Sequence, residues 1–200
     1  IDVEGDEWAE GIDLSDEIVT VIPEDNKAIL DKIKANGVVG LGGATFPTHV
    51  KLCPPPGKKA ECLILNGAEC EPYLNCDFRL MIEKTQEIYN GIGLVAKALN
   101  LSNVIIGIEE NKPEAIKAFE KYDDLQVVAL KKQYPMGSEK HLIYCCTGRK
   151  VACGALPASV GCVVQNIKTA IATYEAIVLN KPLYEGVLTV SGEGVKEPKN

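Results

Sequence analysis

The chain has 200 residues, 46% of them hydrophobic and 24% charged, enough for one domain with a full core. A net charge of −7 and a pI near 5.0 argue against nucleic acid or anionic lipid as the main partner. No apolar run approaches the roughly 20 residues that span a bilayer, and the acidic start Ile1-Asp2-Val3-Glu4 does not read as a signal peptide. The chain lacks an initial Met and ends on Glu197-Pro198-Lys199-Asn200, so it reads as a piece of a longer protein.

Residues 1–22 are acidic and irregular, with a strand-like piece at Ile18–Ile22. Pro23-Glu24-Asp25-Asn26 signals a helix start; Ile29, Leu30 and Ile33 follow at helical spacing, and Gly37 closes the helix. Next comes the most informative stretch, Gly40-Leu41-Gly42-Gly43-Ala44-Thr45-Phe46-Pro47-Thr48-His49-Val50-Lys51. Glycines there free backbone N–H groups to approach an anion or an electron-rich ring edge. The stretch reads as a loop whose backbone touches a cofactor.

Pro54-Pro55-Pro56-Gly57 predicts a rigid turn, and Leu63-Ile64-Leu65 a short buried strand ending at Asn66-Gly67. One long helix is predicted from about Leu80 to Leu99. Strands are predicted at 104–108, 125–130 and 187–190, and helices from Pro113 through Phe119, at 138–146 and at 167–179. Strands alternating with helices predict an α/β fold, a parallel sheet covered by helices. In such sheets ligands sit at the carboxyl ends of strands, where Asn66, Glu69 and Glu71 fall.

Each polar constellation has a plain reading beside the functional one. Asn66, Glu69 and Glu71 suit ribose or ribityl hydroxyls, or simple turn chemistry. Phe46 offers a stacking face or fills a core; Lys51 meets a phosphate or reduced flavin, or only solvent. Tyr134-Pro135-Met136-Gly137-Ser138-Glu139-Lys140 is a second glycine turn, or a helix N-terminus capped by Ser138. Gln165-Asn166-Ile167-Lys168-Thr169 is a phosphate site at a helix start, or ordinary Asn capping. Gly91-Ile92-Gly93-Leu94-Val95-Ala96 matches a dinucleotide pattern on paper but lies in a helical run, so its two glycines read as close helix packing.

Eight cysteines, Cys53, Cys62, Cys70, Cys76, Cys145, Cys146, Cys153 and Cys162, include no C-x-x-C pair. They read as reduced thiols packed as small hydrophobes, in a reducing cytoplasm. His49 and His141 have no local nucleophile motif, which argues against hydrolytic triad chemistry.

Taken in order, the glycine stretch, Leu65-Asn66-Gly67-Ala68-Glu69-Cys70-Glu71-Pro72-Tyr73-Leu74, the Tyr134–Lys140 turn and Val164-Gln165-Asn166 resemble the RnfC family, the C subunits of Rnf electron-transport complexes, over about residues 20–200. The chain is more distantly similar to the NADH-oxidising flavin subunit of respiratory complex I. The resemblance implies a Rossmann-like sheet with helices on both faces that binds FMN and exchanges a hydride with NAD(H). It implies electron transfer onward to [4Fe-4S] clusters outside this segment, with other Rnf-type subunits at the membrane and ferredoxin as partners. It places the segment peripherally, on the cytoplasmic side of the cell membrane. It divides the chain into the tail of a barrel-sandwich region (1–22), the FMN/NAD-binding domain (23–182) and the start of a β-grasp domain (183–200).

By the same resemblance, Gly40, Gly42, Gly43 and Lys51 match the flavin loop, and Asn66 and Glu69 match flavin-contacting positions. Phe46 matches a position stacking on the nucleotide adenine, and Glu71 one near its ribose. Gly137 and Glu139 match the second turn over the cofactor, and Asn166 and Thr169 the flavin phosphate site. No side chain is expected to act as acid or base. Leu41, Ala68 and Ser138 depart from the complex I pattern, where an Arg, an Asp and an acid stand. Two other readings keep the module with a different role: a soluble electron carrier of a cobalamin- or amino-acid-reductase system, and a scaffold with a decayed flavin site. A cysteine-ligated metal protein is a third.

Overall fold

The computed structural model describes Gly5, Glu17 and residues 21–199; the strand-like Ile18–Thr20 lies outside them. The first helix, α1 (Asn26–Ala35), begins where the Asp25 carboxylate accepts the Ala28 N–H at 3.0 Å. It ends as predicted at Gly37, whose φ of +65° lets Gly37 and Val38 N–H groups return to Lys34 and Ile33 carbonyls. A short helix α2 (Thr48–Lys51), which no pattern in the sequence predicts, follows the glycine loop.

Four strands, β1 (Cys62–Gly67), β2 (Val104–Glu109), β3 (Gln126–Leu130) and β4 (Cys162–Asn166), form one parallel sheet in the order β3-β2-β1-β4. The chain moves outward from β1 to β3 and then returns to the other side of β1. That reversal puts a topological switch point between β1 and β4, the place where open α/β sheets bind ligands. β4 is absent from the strands that the sequence predicts. Its run Cys-Val-Val-Gln-Asn is short and polar at its end, and only the pairing with β1 identifies it as a strand.

Helices cover both faces. Leu63 and Leu65 of β1 pack into the larger core with α1, α3 (Cys76–Glu83), α4 (Thr85–Leu99), α5 (Pro113–Phe119) and α7 (Ile167–Tyr174). Cys62 and Ile64 face the smaller core under α6 (Glu139–Thr147). The helix predicted from about Leu80 to Leu99 is two helices broken at Lys84. The Thr85 hydroxyl donates to the Met81 carbonyl at 2.7 Å and competes for the backbone ladder. α7 continues into a π-helical turn, Glu175–Leu179.

The strand predicted at 187–190 reduces to a single bridge between Val190 and Lys199. Its residues are mostly exposed, so no apolar face holds them in a sheet. Of the two helical glycines, only Gly91 mediates close packing: a Cβ there would lie 2.0 Å from the Ala170 carbonyl oxygen, while Gly93 has nothing within 4 Å. No helix among the described residues is long and apolar enough to cross a membrane.

Candidate functional site at the β1–β4 switch point

A cleft of about 690 Å³ runs along the free edge of β4, within the usual range for small-molecule sites. Its floor is Cys162, Val163, Val164, Gln165 and Asn166. The glycine loop, α2 and Pro54-Pro55 form one wall; Gly137, Glu139 and the 3₁₀ turn Pro157–Val160 form the other.

Local bonding fixes the glycine loop on this floor. Gly40 N–H donates to the Phe46 carbonyl at 2.8 Å, closing the loop, and Leu41 N–H donates to buried Thr169 Oγ1 at 2.9 Å. Gly42 sits against the β4–α7 junction, where a Cβ would stand 3.3 Å from Asn166 Cβ. Gly43 has φ +115°, which only glycine adopts readily. Among the described residues, the N–H groups of Gly42, Gly43 and Ala44 make no hydrogen bond to protein.

The second glycine turn docks on the end of β1. Asn66 Nδ2 donates to the Gly137 carbonyl at 2.9 Å, and Gly137 N–H donates to Cys70 Sγ at 3.3 Å. A Cβ on Gly137 would meet the Ala68 carbonyl oxygen at 2.7 Å, so only glycine fits. The two walls touch at Lys51 and Glu139, paired at 2.5 Å. Ser138 occupies the α6 cap position, but its side chain caps nothing.

Nine of the twelve residues singled out in the sequence line the cleft: Gly40, Gly42, Phe46, Lys51, Asn66, Gly137, Glu139, Asn166 and Thr169. Gly43, Glu69 and Glu71 stand outside its lining. The Glu69 carboxylate accepts the Asp77 and Phe78 N–H groups at 2.8 and 3.2 Å, which orders the start of α3. It also lies 3.5 Å from buried Lys112, which pairs with Glu109 as well. Glu71 is exposed, and Phe46 is 49% exposed at the rim. Asn166 caps α7 through its Oδ1 and donates to Asp77 Oδ2 at 2.9 Å.

Glu69, Cys76 and Asp77 bring ligand atoms within 4.8 Å of one another. Two ammonium groups already neutralise this cluster, Lys112 beside Glu69 and Lys168 at 3.2 Å from Asp77. Burial opposes the Lys168 charge, yet Asp77 and Cys76 hold its pKa above the ordinary value. The cluster is a closed ion network, and the sequence offers no signal for it beyond its acidic residues.

Gln165, which the sequence offers only as part of the Gln165–Thr169 helix start and not as a site residue, proves central to the cleft. It is 2% exposed, lines the floor, and its Nε2 has no hydrogen-bond partner among the described residues. Burying such a group unpaired costs about 1–3 kcal/mol, so a ligand that accepts from it would recover that cost.

A family model described as the Nuo51 FMN-binding domain matches residues 33–175. The C subunit of the proton-translocating ferredoxin:NAD(+) oxidoreductase complex of Clostridium ljungdahlii is 49% identical over 98% of this chain and 43% of its own length. The C subunit of the Na(+)-translocating ferredoxin:NAD(+) oxidoreductase complex of Acetobacterium woodii is 43% identical over 96% of this chain and 45% of its own length. The chain thus spans less than half the length of these curated relatives. In structure it is similar to a chain of an NAD+-reducing [NiFe]-hydrogenase in the H2-reduced state, with TM-score 0.66 and 26% identity over 76% of this chain and 31% of that one. The chain belongs to the Nuo51 FMN-binding domain family and is a relative of the C subunits of ferredoxin:NAD(+) oxidoreductase complexes.

Proposed function

We propose that this chain is the flavin-binding segment of an oxidoreductase subunit that moves electrons between NAD(H) and iron–sulfur carriers, as part of a ferredoxin:NAD oxidoreductase complex. The observation that carries the reading is the floor of the cleft, where the buried, unpartnered Gln165 amide lies in a family that is described by FMN binding. The residues present fit FMN. The free N–H groups of the glycine loop suit an anionic or carbonyl edge. Gly42 and Gly137 pack closely on Asn166 and the Ala68 carbonyl, which brings both walls against the floor.

When bound, FMN would supply the hydride and single-electron chemistry. The chain's own residues would bind and orient. Gly42 and Gly43 would hold the ring edge by backbone, on the loop that Gly40 closes, with Gln165 and Asn66 offering side-chain amides. Lys51 would leave Glu139 to face negative charge on the cofactor. Asn166 and Thr169 would hold the β4–α7 junction where the phosphate is expected. Phe46 and Glu71 would meet NAD(H) at the rim. Glu69 would act at a distance, by fixing α3 and Lys112. The [4Fe-4S] clusters, the ferredoxin partner, the other subunits and the peripheral membrane position would belong to the longer protein.

Anaerobic titration with FMN and then NADH, followed by visible spectroscopy, tests this. Tight binding and bleaching by NADH is the expected result. Failure of the full-length protein to bind FMN would overturn the reading. Binding without bleaching would favour the soluble-carrier alternative with another electron donor.

A further inference from the structure

Cys62 and Cys162 open β1 and β4 and are register partners in the sheet. Neighbouring strands lie about 4.8 Å apart, inside the roughly 4.4–6.8 Å Cα separation that a disulfide spans. Both side chains turn into the small core under α6, and each residue is 1% exposed. Each thiol donates to a backbone carbonyl, Cys62 Sγ to Leu63 at 3.8 Å and Cys162 Sγ to Val160 at 3.7 Å. Cys162 is also part of the cleft floor, so a small molecule in the cleft reaches its surroundings.

The charges around the pair are unequal. Arg149, just after α6, donates to the Val160 carbonyl at 2.6 Å and pairs with Glu61 at 2.9 Å. Glu61 precedes β1, and Cys146 of α6 packs against the same small core as the pair. The neighbouring Cys62 thiol and then the Arg149 charge lower the Cys162 pKa, against burial and Glu61. Cys62 is pushed up by the neighbouring Cys162 and by burial. Cys146 is pushed up to about 12, mainly by burial. Cys162 is therefore the more readily ionised of the two sulfurs, and Cys62 the one that more readily keeps its proton. That is the division of labour between an attacking and a resolving thiol.

We propose that Cys62 and Cys162 form a redox-active dithiol that hydrogen peroxide, entering through the cleft, converts reversibly to a disulfide joining β1 to β4. The Cys162 thiolate attacks one peroxide oxygen; an S–O bond forms, the O–O bond breaks and hydroxide leaves. The Cys62 sulfur then attacks Cys162 Sγ; the S–S bond forms, the S–O bond breaks and the Cys62 proton leaves with the hydroxyl as water. The two sulfurs lose two electrons and one peroxide is reduced. This chemistry is independent of flavin binding, because it needs only the thiol pair and the cleft.

The test is exposure of the reduced, purified protein to equimolar hydrogen peroxide over a pH series, quenched by alkylation and resolved by peptide mass spectrometry. The expected first product is a linked Cys62–Cys162 peptide pair, with loss of two alkylatable thiols that dithiothreitol restores. Its rate should rise with pH as the Cys162 thiolate fraction grows. In Cys62→Ser, a sulfenic acid should accumulate on Cys162 and be trapped by dimedone. The proposal is overturned if Cys62 and Cys162 stay alkylatable while exposed Cys53, Cys145 and Cys153 oxidise. It is equally overturned if Cys162 goes to the sulfinic acid without bridging in the wild-type protein.

Discussion

Asn66 and Asn166 are register partners at the carboxyl ends of β1 and β4, yet their side chains fix opposite walls of the cleft. Asn66 holds the Gly137 turn, and Asn166 caps α7 and abuts the glycine loop at Gly42. The switch point of the sheet is thereby converted into a slot with two glycine-built sides. Changes on either side should register as changes in ligand affinity before they register as loss of fold.

Gln165→Leu is the sharpest test of the floor. Removing a buried, unpartnered amide should raise the ligand-free melting temperature, by the equivalent of about 1 kcal/mol. The same change should weaken FMN about tenfold, by loss of one donor. Thermal unfolding with and without FMN reads both signs; a lower melting temperature without ligand would mean that the amide has an unseen partner.

Gly42→Val should block FMN while leaving a folded protein, because its Cβ begins 3.3 Å from Asn166 Cβ and its methyl groups project from an exposed loop. Gly137→Ala should act similarly by pushing the second turn off the Ala68 carbonyl, 2.7 Å from the added Cβ. Circular dichroism checks the fold, and flavin fluorescence quenching checks binding. Retained FMN affinity in folded Gly42→Val would mean that the loop does not approach the cofactor.

Lys51→Ala should weaken FMN or slow its reduction by NADH, by about tenfold in either quantity. Glu139→Gln removes the competing carboxylate and leaves the ammonium free, so it should move affinity less, or in the opposite direction. Stopped-flow reduction and equilibrium titration of the two variants separate these effects. Equal losses in both would show that the Lys51–Glu139 pair acts only as a strut between the walls.

Elements with strong periodicity are legible from the chain alone: α1 with its Gly37 stop, β2, and α5 opened by Pro113. β4 is not, because Gln165 and Asn166 end its apolar run and only a neighbouring strand reveals it. The cost of that omission falls on the site, since β4 is the floor. Glycines and amides announce a ligand by their own chemistry. The orphaned Gln165, the Lys51–Glu139 contact and the Cys62–Cys162 pair depend on residues far apart in the chain, and no local pattern encodes them.

Gly91 and Gly93 lie two residues apart in α4 and should respond to alanine with opposite signs. At Gly91 the new methyl would collide with the Ala170 carbonyl, which belongs to the backbone of α7 and cannot turn aside. The helices would have to separate, which should cost about 3 kcal/mol or more. At Gly93 the space is open and the position exposed, so alanine should stabilise by about 0.5–1 kcal/mol through helix propensity alone. Urea unfolding of both variants distinguishes contact from propensity. Similar midpoints would mean that the α4–α7 contact at Gly91 is looser than its geometry implies.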